Sequence, residues 1–319
     1  MFARIKPRRM TARPVLEALE DRTLLSPGDL DAAFGTGGLV VADLGDAEQG
    51  KSVAIQDDGK IVVAGFQFAT ESTNVGAFAL ARFNPDGSLD DGTAMDSTAG
   101  DSFGTAGKTF TDIGTGFDIA NAVLVYPASS AHAGKILVAG RASTNLGVQF
   151  GIARYNTDGK PDDGNSSDGT PDITPSDGFG TGGVVTTDFG FGFSEATSLV
   201  VQSDGKIVVA GAAATDRNFT FDFALARYEP DGSLDGSFGT SGLVTTGFGV
   251  QLAAALDVAL QPDGLIVAAG YADNTAGTLG YQFALARYNA NGSLDATFGS
   301  EGRVTMPFVG SSQVRVLAI

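Results

Sequence analysis

The chemistry open to this chain is narrow. Its 319 residues contain no cysteine and a single histidine, His132, so a thiolate nucleophile, a disulfide framework and a histidine-rich zinc site are all excluded. Carboxylates are the abundant reactive groups: 37 Asp and Glu stand against 20 Lys and Arg, a net charge of −17. A balance this acidic repels phosphate backbones and anionic membrane surfaces, which argues against both as partners. Two carboxylates could run glycoside hydrolysis, and an acid without counterparts in the repeats, such as Glu195, would be the one to test. No pair is singled out by spacing, and the expectation is a protein that is not an enzyme. His132 lies in Ala131-His132-Ala133-Gly134, a hairpin position, and reads as an exposed turn residue. The glycine-rich stretches at 34–38 and 189–192 lack the strand-to-helix setting of a nucleotide fingerprint, and no Walker motif is present.

Acids do cluster at two places. One run opens Asp90-Asp91-Gly92 and continues with Asp96 and Asp101; the other opens Asp162-Asp163-Gly164 and continues with Asp168, Asp172 and Asp177. Hard oxygen ligands on short loops are what calcium requires, so Asp91, Asp96, Asp101, Asp163, Asp168 and Asp172 are candidate calcium ligands. The spacing is not that of an EF-hand. A solvated acidic loop fits the same residues, and calcium is the only cofactor the sequence suggests.

A second constellation recurs. Arg82, Arg154, Arg227 and Arg287 are each followed eight residues later by an acid, Asp90, Asp162, Asp235 and Asp295, with a glycine five residues after the arginine each time. Fixed spacing across a tight turn predicts a local ion pair. A group present in every repeat supports the fold more readily than it serves one ligand, so a structural clamp is expected rather than a ring of ligand contacts.

These residues sit in a repeat. Phe-Gly pairs begin at Phe34, Phe103, Phe179, Phe238 and Phe298, spaced by 69, 76, 59 and 60 residues. Between the clamp acid and the next such Phe, the two acidic runs insert 10 and 14 residues, which accounts for the longer spacings. A block Asp204-Gly205-Lys206-Ile207-Val208-Val209-Ala210-Gly211 and a block Phe223-Ala224-Leu225-Ala226-Arg227-Tyr228 return in the same order. Asp-Gly between two apolar runs signals a hairpin, and the non-alternating Ile-Val-Val-Ala run suits a strand covered on both faces. In the Phe223–Tyr228 strand, Phe223, Leu225 and Arg227 share one face while Ala224, Ala226 and Tyr228 share the other. Four short strands per unit of about 60 residues predict an all-β, β-propeller-like array of four-stranded blades. A β-solenoid is the rival, although its rungs are far shorter.

The repeat resembles the delta-60 repeat family of bacterial surface proteins, through Leu234-Asp235-Gly236-Ser237-Phe238-Gly239, Gln202-Ser203-Asp204-Gly205-Lys206-Ile207 and Phe223-Ala224-Leu225-Ala226-Arg227-Tyr228-Glu229-Pro230-Asp231-Gly232. The resemblance implies a propeller-like fold in an exported protein and brings no active site with it. Repeat units fall near 30–102, 103–178, 179–237 and 238–297, with a partial unit at 298–319. Starting each blade at its second strand gives four full blades at 52–111, 120–187, 197–246 and 254–306. Two strands are left over, near 39–42 and 313–319, so an open arc or a continuing chain is expected.

Residues 1–22 carry six basic residues and three acids, against an otherwise acidic chain. Leu16-Glu17-Ala18-Leu19-Glu20-Asp21-Arg22-Thr23-Leu24-Leu25-Ser26 resembles the LEPR-XLL export segment, with Asp21 where that motif has proline. Residues 1–26 therefore read as an export segment and 27–319 as the repeat domain. No apolar run is long enough to span a membrane. The expected function is non-catalytic scaffolding or binding at the cell surface or outside the cell, toward a surface protein or glycan. A calcium-dependent or glycan-binding propeller is the alternative, and a carboxylate-based propeller hydrolase stands behind it.

Overall fold

The computed structural model describes residues 28–43, 47–68, 76–93, 101–164, 178–273 and 280–306, together with Gly45, Asp96 and Thr98. The export-like segment 1–26 and the expected strand at 313–319 lie outside the described residues. Within them the chain forms sixteen strands and no helix.

The strands fall into four antiparallel sheets of four, each in sequence order. Blade 1 holds β1 (Glu48–Ile55), β2 (Ile61–Phe68), β3 (Gly76–Phe83) and β4 (Lys108–Thr111). Blade 2 holds β5 (Ile119–Val125), β6 (Ile136–Thr144), β7 (Gly147–Tyr155) and β8 (Val184–Thr187). Blade 3 holds β9 (Ser194–Val201), β10 (Ile207–Ala214), β11 (Phe221–Tyr228) and β12 (Leu243–Thr246). Blade 4 holds β13 (Ala253–Leu260), β14 (Ile266–Asp273), β15 (Tyr281–Tyr288) and β16 (Arg303–Met306). A solenoid would stack parallel rungs; here every pairing within a sheet is antiparallel.

Two backbone devices recur. The first hairpin turns on a glycine in the left-handed region, as at Gly59 with φ +85° and Gly205 with φ +87°, where a side chain would be strained. The first strand then carries a bulge, at Gly50/Ser52 in blade 1 and at the equivalent point in each other blade. Opposite the bulge stands the last glycine of the Val-Ala-Gly block. A Cβ on Gly65, Gly140, Gly211 or Gly270 would collide with the backbone carbonyl of Gln49, Ile119, Glu195 or Ala254. The repeated glycine is therefore required by close approach of two backbones, since none of the four has a positive φ.

The core lies between blades rather than inside any one of them. Phe223 and Leu225 of β11 face blade 4, meeting Ala255, Ile266, Ala268, Ala284 and Ala286. From the opposite face of the same strand, Ala224, Ala226 and Tyr228 meet Leu137, Ala139, Phe150 and Ile152 of blade 2. Large side chains on one blade thus fill the small face of the next, and each buried Phe or Leu contributes roughly 1.5–3 kcal/mol of transfer free energy. The first strands, β1, β5, β9 and β13, also contact one another in series.

One sequence expectation is corrected. Residues 39–42 do not form a strand; Leu39 makes only an isolated bridge to Thr36. The reason is the absence, among the described residues, of a strand to pair with them. In the complete blades the same segment is β4, β8, β12 or β16, paired to the third strand of its sheet.

Candidate functional site

The third strand of each blade carries the clamp arginine as its last residue but one, and a tight turn brings the acid back beside it. The Asp235 amide donates to the Arg227 carbonyl at 2.9 Å, and Arg287 and Asp295 repeat the contact. Arg227 Nε then donates to Asp235 Oδ2 at 2.7 Å and Arg287 Nε to Asp295 Oδ2 at 2.8 Å, while Arg82–Asp90 and Arg154–Asp162 form the same bond. All four clamps expected from the eight-residue spacing are therefore formed. The Arg154 and Asp162 side chains are 1% and 0% exposed, whereas Arg287 is 21% exposed.

Three further contacts at the clamp are not visible from that spacing. Lysines of the Asp-Gly-Lys turn reach the same acids: Lys60 to Asp90 at 3.0 Å, Lys135 to Asp162 at 2.9 Å and Lys206 to Asp235 at 2.9 Å. The guanidinium lies over the ring of the corner phenylalanine, Phe103, Phe179, Phe238 or Phe298, at 4.6–5.0 Å from its centroid. Its Nη1 crosses to the following blade, donating to the Thr157 carbonyl from Arg82 and to the Pro230 carbonyl from Arg154, both at 2.5 Å, and to Ala290 from Arg227. These three clamps thus tie one blade to the next. A hydroxyl pair does the same at another point of the junction, with Tyr155, Tyr228 and Tyr288 donating to Thr111, Thr187 and Thr246. Burial pushes all three phenols up, against the threonine bonds that lower them.

The insertions change the clamp chemically. In blades 3 and 4 the acid also accepts bonds from the backbone and hydroxyl of Ser237 or Thr297. Burial raises Asp235, but Ser237, Lys206 and Arg227 outweigh it and hold the carboxyl well below the usual range. In blades 1 and 2 the corresponding residue is Gly92 or Gly164, which has no hydroxyl. Burial pushes Asp162 up against the opposing effect of Lys135 and Arg154, and Asp90 Oδ1 is buried with no hydrogen-bond partner among the described residues.

One acid of the first insertion turns inward. Asp96 is buried and accepts from the Asn84 amide and from the Gly92 and Thr98 backbones. Burial raises its pKa, but these bonds prevail and hold it at about 2. Asp101 accepts from Lys60 Nζ at 2.5 Å and from Arg82 Nη2 at 3.4 Å, so the loop finds its cations in the blade body. Asp91 receives the Thr93 amide at 2.9 Å, and Asp163 is exposed. Asp168 and Asp172 lie outside the described residues. Among the described residues no three carboxylate or imidazole groups converge as a metal site would need.

Two other residues have structural settings. Glu195 accepts from Asn121 Nδ2 at 3.0 Å, another blade-to-blade contact. His132 is half-buried rather than exposed, because its ring packs edge-on against Tyr126 at 5.4 Å.

Four stretches, residues 56–92, 134–164, 202–238 and 261–298, match the model of a family described as a beta-propeller domain of unknown function (DUF5122). The chain is a β-propeller-like repeat protein. Each matched stretch contains the clamp arginine and acid of its blade. Among solved structures, the propeller is similar to a protein of unknown function from Dyadobacter fermentans, with 12% identity, a TM-score of 0.44, and coverage of 84% of this chain and 67% of that one. It is also similar to a protein of unknown function from Bacteroides caccae, with 13% identity, a TM-score of 0.40, and coverage of 81% and 70%. No curated protein matches the chain.

Proposed function

We propose that this propeller is a non-catalytic scaffold or binding module, exported to the cell surface or the extracellular space. The observation that carries the reading is the use of the repeated charged groups: the clamp arginines, lysines and acids are engaged with one another, and three of the four arginines also reach the neighbouring blade. Side chains held this way are poorly placed to bind or transform a substrate. Export rests on the LEPR-XLL-like segment and on the delta-60 resemblance of the blades. The net charge of −17 supports a surface protein or glycan as partner in preference to nucleic acid or an anionic membrane.

Calcium-dependent or glycan binding is the second reading, favoured by the exposed Asp163 at the start of the second acidic insertion. A hydrolase panel of glycosides and lactones, run beside a glycan array in calcium and in EDTA, tests both. Binding without turnover supports the module; turnover abolished by Glu195→Gln would replace it with an enzyme.

A further inference from the structure

One strand arginine stands outside the clamps. The side chains of Arg82, Arg154, Arg227, Arg287 and Arg303 all donate to oxygens of the chain. The guanidinium of Arg141, on β6, donates to none among the described residues, although its Nε is buried. A buried N–H without an acceptor is costly, so support of the fold does not account for this side chain. Nor does the repeat: Arg141 follows the close-approach glycine Gly140, and the residues in that place on the other blades are Phe66, Ala212 and Tyr271.

Its neighbours belong to the junction of blades 1 and 2, toward the end of the blades away from the clamps. The guanidinium lies 5.9 Å from the centroid of Phe117, in the segment that leads into β5. Phe117 meets Phe66 of blade 1 edge-on at 5.1 Å and stacks on Phe68 at 4.6 Å; a Cβ on Gly76 would collide with its ring, so the glycine admits it. Phe66 carries a second cation, with Lys51 Nζ 5.7 Å from its centroid. Lys51 is the bulge residue of β1, exposed and without an ion pair among the described residues. The matching residues Asn121 and Thr197 instead bond to the following blade, at the Ala196 and Ala255 carbonyls, 2.8 and 2.9 Å away. Asp118, the acid beside Phe117, does not answer Arg141, because its oxygens accept the Ile113, Gly114 and Ser143 amides at 2.8–2.9 Å. Two cations thus share one group of rings with no carboxylate to pair them, in a chain of net charge −17.

We propose that Arg141 and Lys51, set on the Phe66–Phe117 ring pair, bind a monocarboxylate with an apolar body. The planar fork of Arg141 donates to both carboxylate oxygens, Lys51 adds a second positive charge, and the rings contact the apolar part. The overall charge of −17 repels a ligand in proportion to the ligand's own charge, which selects a monoanion over phosphate, sulfate or a polyanionic chain. A wall of phenylalanines selects an apolar body over a hydroxylated one. A small aromatic acid and the C-terminal carboxylate of a peptide share this chemistry. The site rests on the binding reading above and gives it a ligand. The two fail separately, since a ligand held elsewhere on the blades would keep that reading while this site is lost.

The test is titration calorimetry of the full chain with phenylacetate and with N-acetyl-glycyl-phenylalanine. Acetate, glucuronate, sulfate and the C-terminal amide of the same dipeptide are the controls. Saturable binding of at least one of the two probes is expected, with every control roughly tenfold weaker or more. The tighter of the two probes tells a small acid from a chain end. Arg141→Gln should weaken binding roughly tenfold or more, and Lys51→Gln should weaken it less, by an amount that shrinks in high salt. The Arg141→Gln protein should melt like the parent, since the guanidinium has no hydrogen bond within the protein to lose; if it melts lower, Lys51→Gln, at an exposed position, carries the same test. Absence of saturation with both probes, a control that binds as tightly as they do, or affinity indifferent to these substitutions would overturn the site.

Discussion

The hydroxyl of Tyr228 donates to Thr187 Oγ1 at 2.7 Å, joining the third strand of blade 3 to the outer strand of blade 2. The same pair recurs at the next junction and at the previous one, and it changes as a pair where blade 1 meets residues 31–42: Phe83 and Ala42 occupy the two positions and line one groove. An apolar junction is thus already present in the molecule. Tyr228→Phe should cost about 1 kcal/mol, because Thr187 loses its partner in a buried setting. Adding Thr187→Val should cost less than the sum of the two single changes. Urea denaturation of the four proteins measures the coupling, and strictly additive losses would deny the pair.

The bulge glycine makes a second prediction. A methyl at Gly211 meets the Glu195 carbonyl, which is fixed in the same sheet and cannot move independently. Gly211→Ala should destabilise by on the order of 2–3 kcal/mol, as overpacking does. Ala210→Gly, one residue earlier, lacks this clash and supplies the control for general loss of packing. Equal melting temperatures for Gly211→Ala and the parent would show that the two backbones are not held together.

Acid should weaken the first insertion in a defined window. Asp96 has a native pKa of about 2 against an ordinary 3.8, so the folded state favours its charged form. Its contribution to stability is complete above the ordinary value and disappears as pH falls toward and through the native one. Melting temperature should fall between about pH 4 and pH 2, and Asp96→Asn should lower it at neutral pH while flattening that fall. A variant as steep as the parent across the window would assign the acid sensitivity elsewhere.

Much of this was legible in the sequence, for reasons that particular residues make clear. The Arg227–Asp235 clamp could be found because its partners are always eight residues apart across one turn. The blade bounds could be found because Ile207–Gly211 and Phe223–Tyr228 return in order. By contrast, the Arg154 contact with the Pro230 carbonyl spans 76 residues, and insertions of unequal length blur any fixed offset between blades. The lysines belong to the repeated hairpin block, but their spacing points to no partner, since Lys60 finds Asp90 only through the fold. Their signal was the loss at Leu265 in blade 4, the blade whose clamp is most exposed. The acids at Asp96 and Asp101 read as loop charges because neither insertion contains a cation; Asp101 draws its cations from β3 and from the first hairpin of blade 1.

Calcium makes an opposed pair of outcomes for the second insertion. If that loop takes the ion, millimolar calcium should raise the melting temperature relative to EDTA by mass action. Asp163→Asn combined with Asp168→Asn should then abolish the rise. Superimposable curves would leave both insertions without a calcium role.

The central claim is that the repeated arginines fasten blade to blade, and a graded series tests it most directly. Arg154 is buried, paired with Asp162 and bonded to the next blade, so Arg154→Ala should cost about 3–5 kcal/mol by leaving a buried charge short of its partner. Arg287 is partly exposed and, among the described residues, its hydrogen bonds stay within its own blade. Arg287→Ala should therefore cost no more than about 1 kcal/mol. Urea denaturation of the two variants beside the parent should place the first midpoint far below the second. Equal midpoints, or a parent-like Arg154→Ala, would contradict the account.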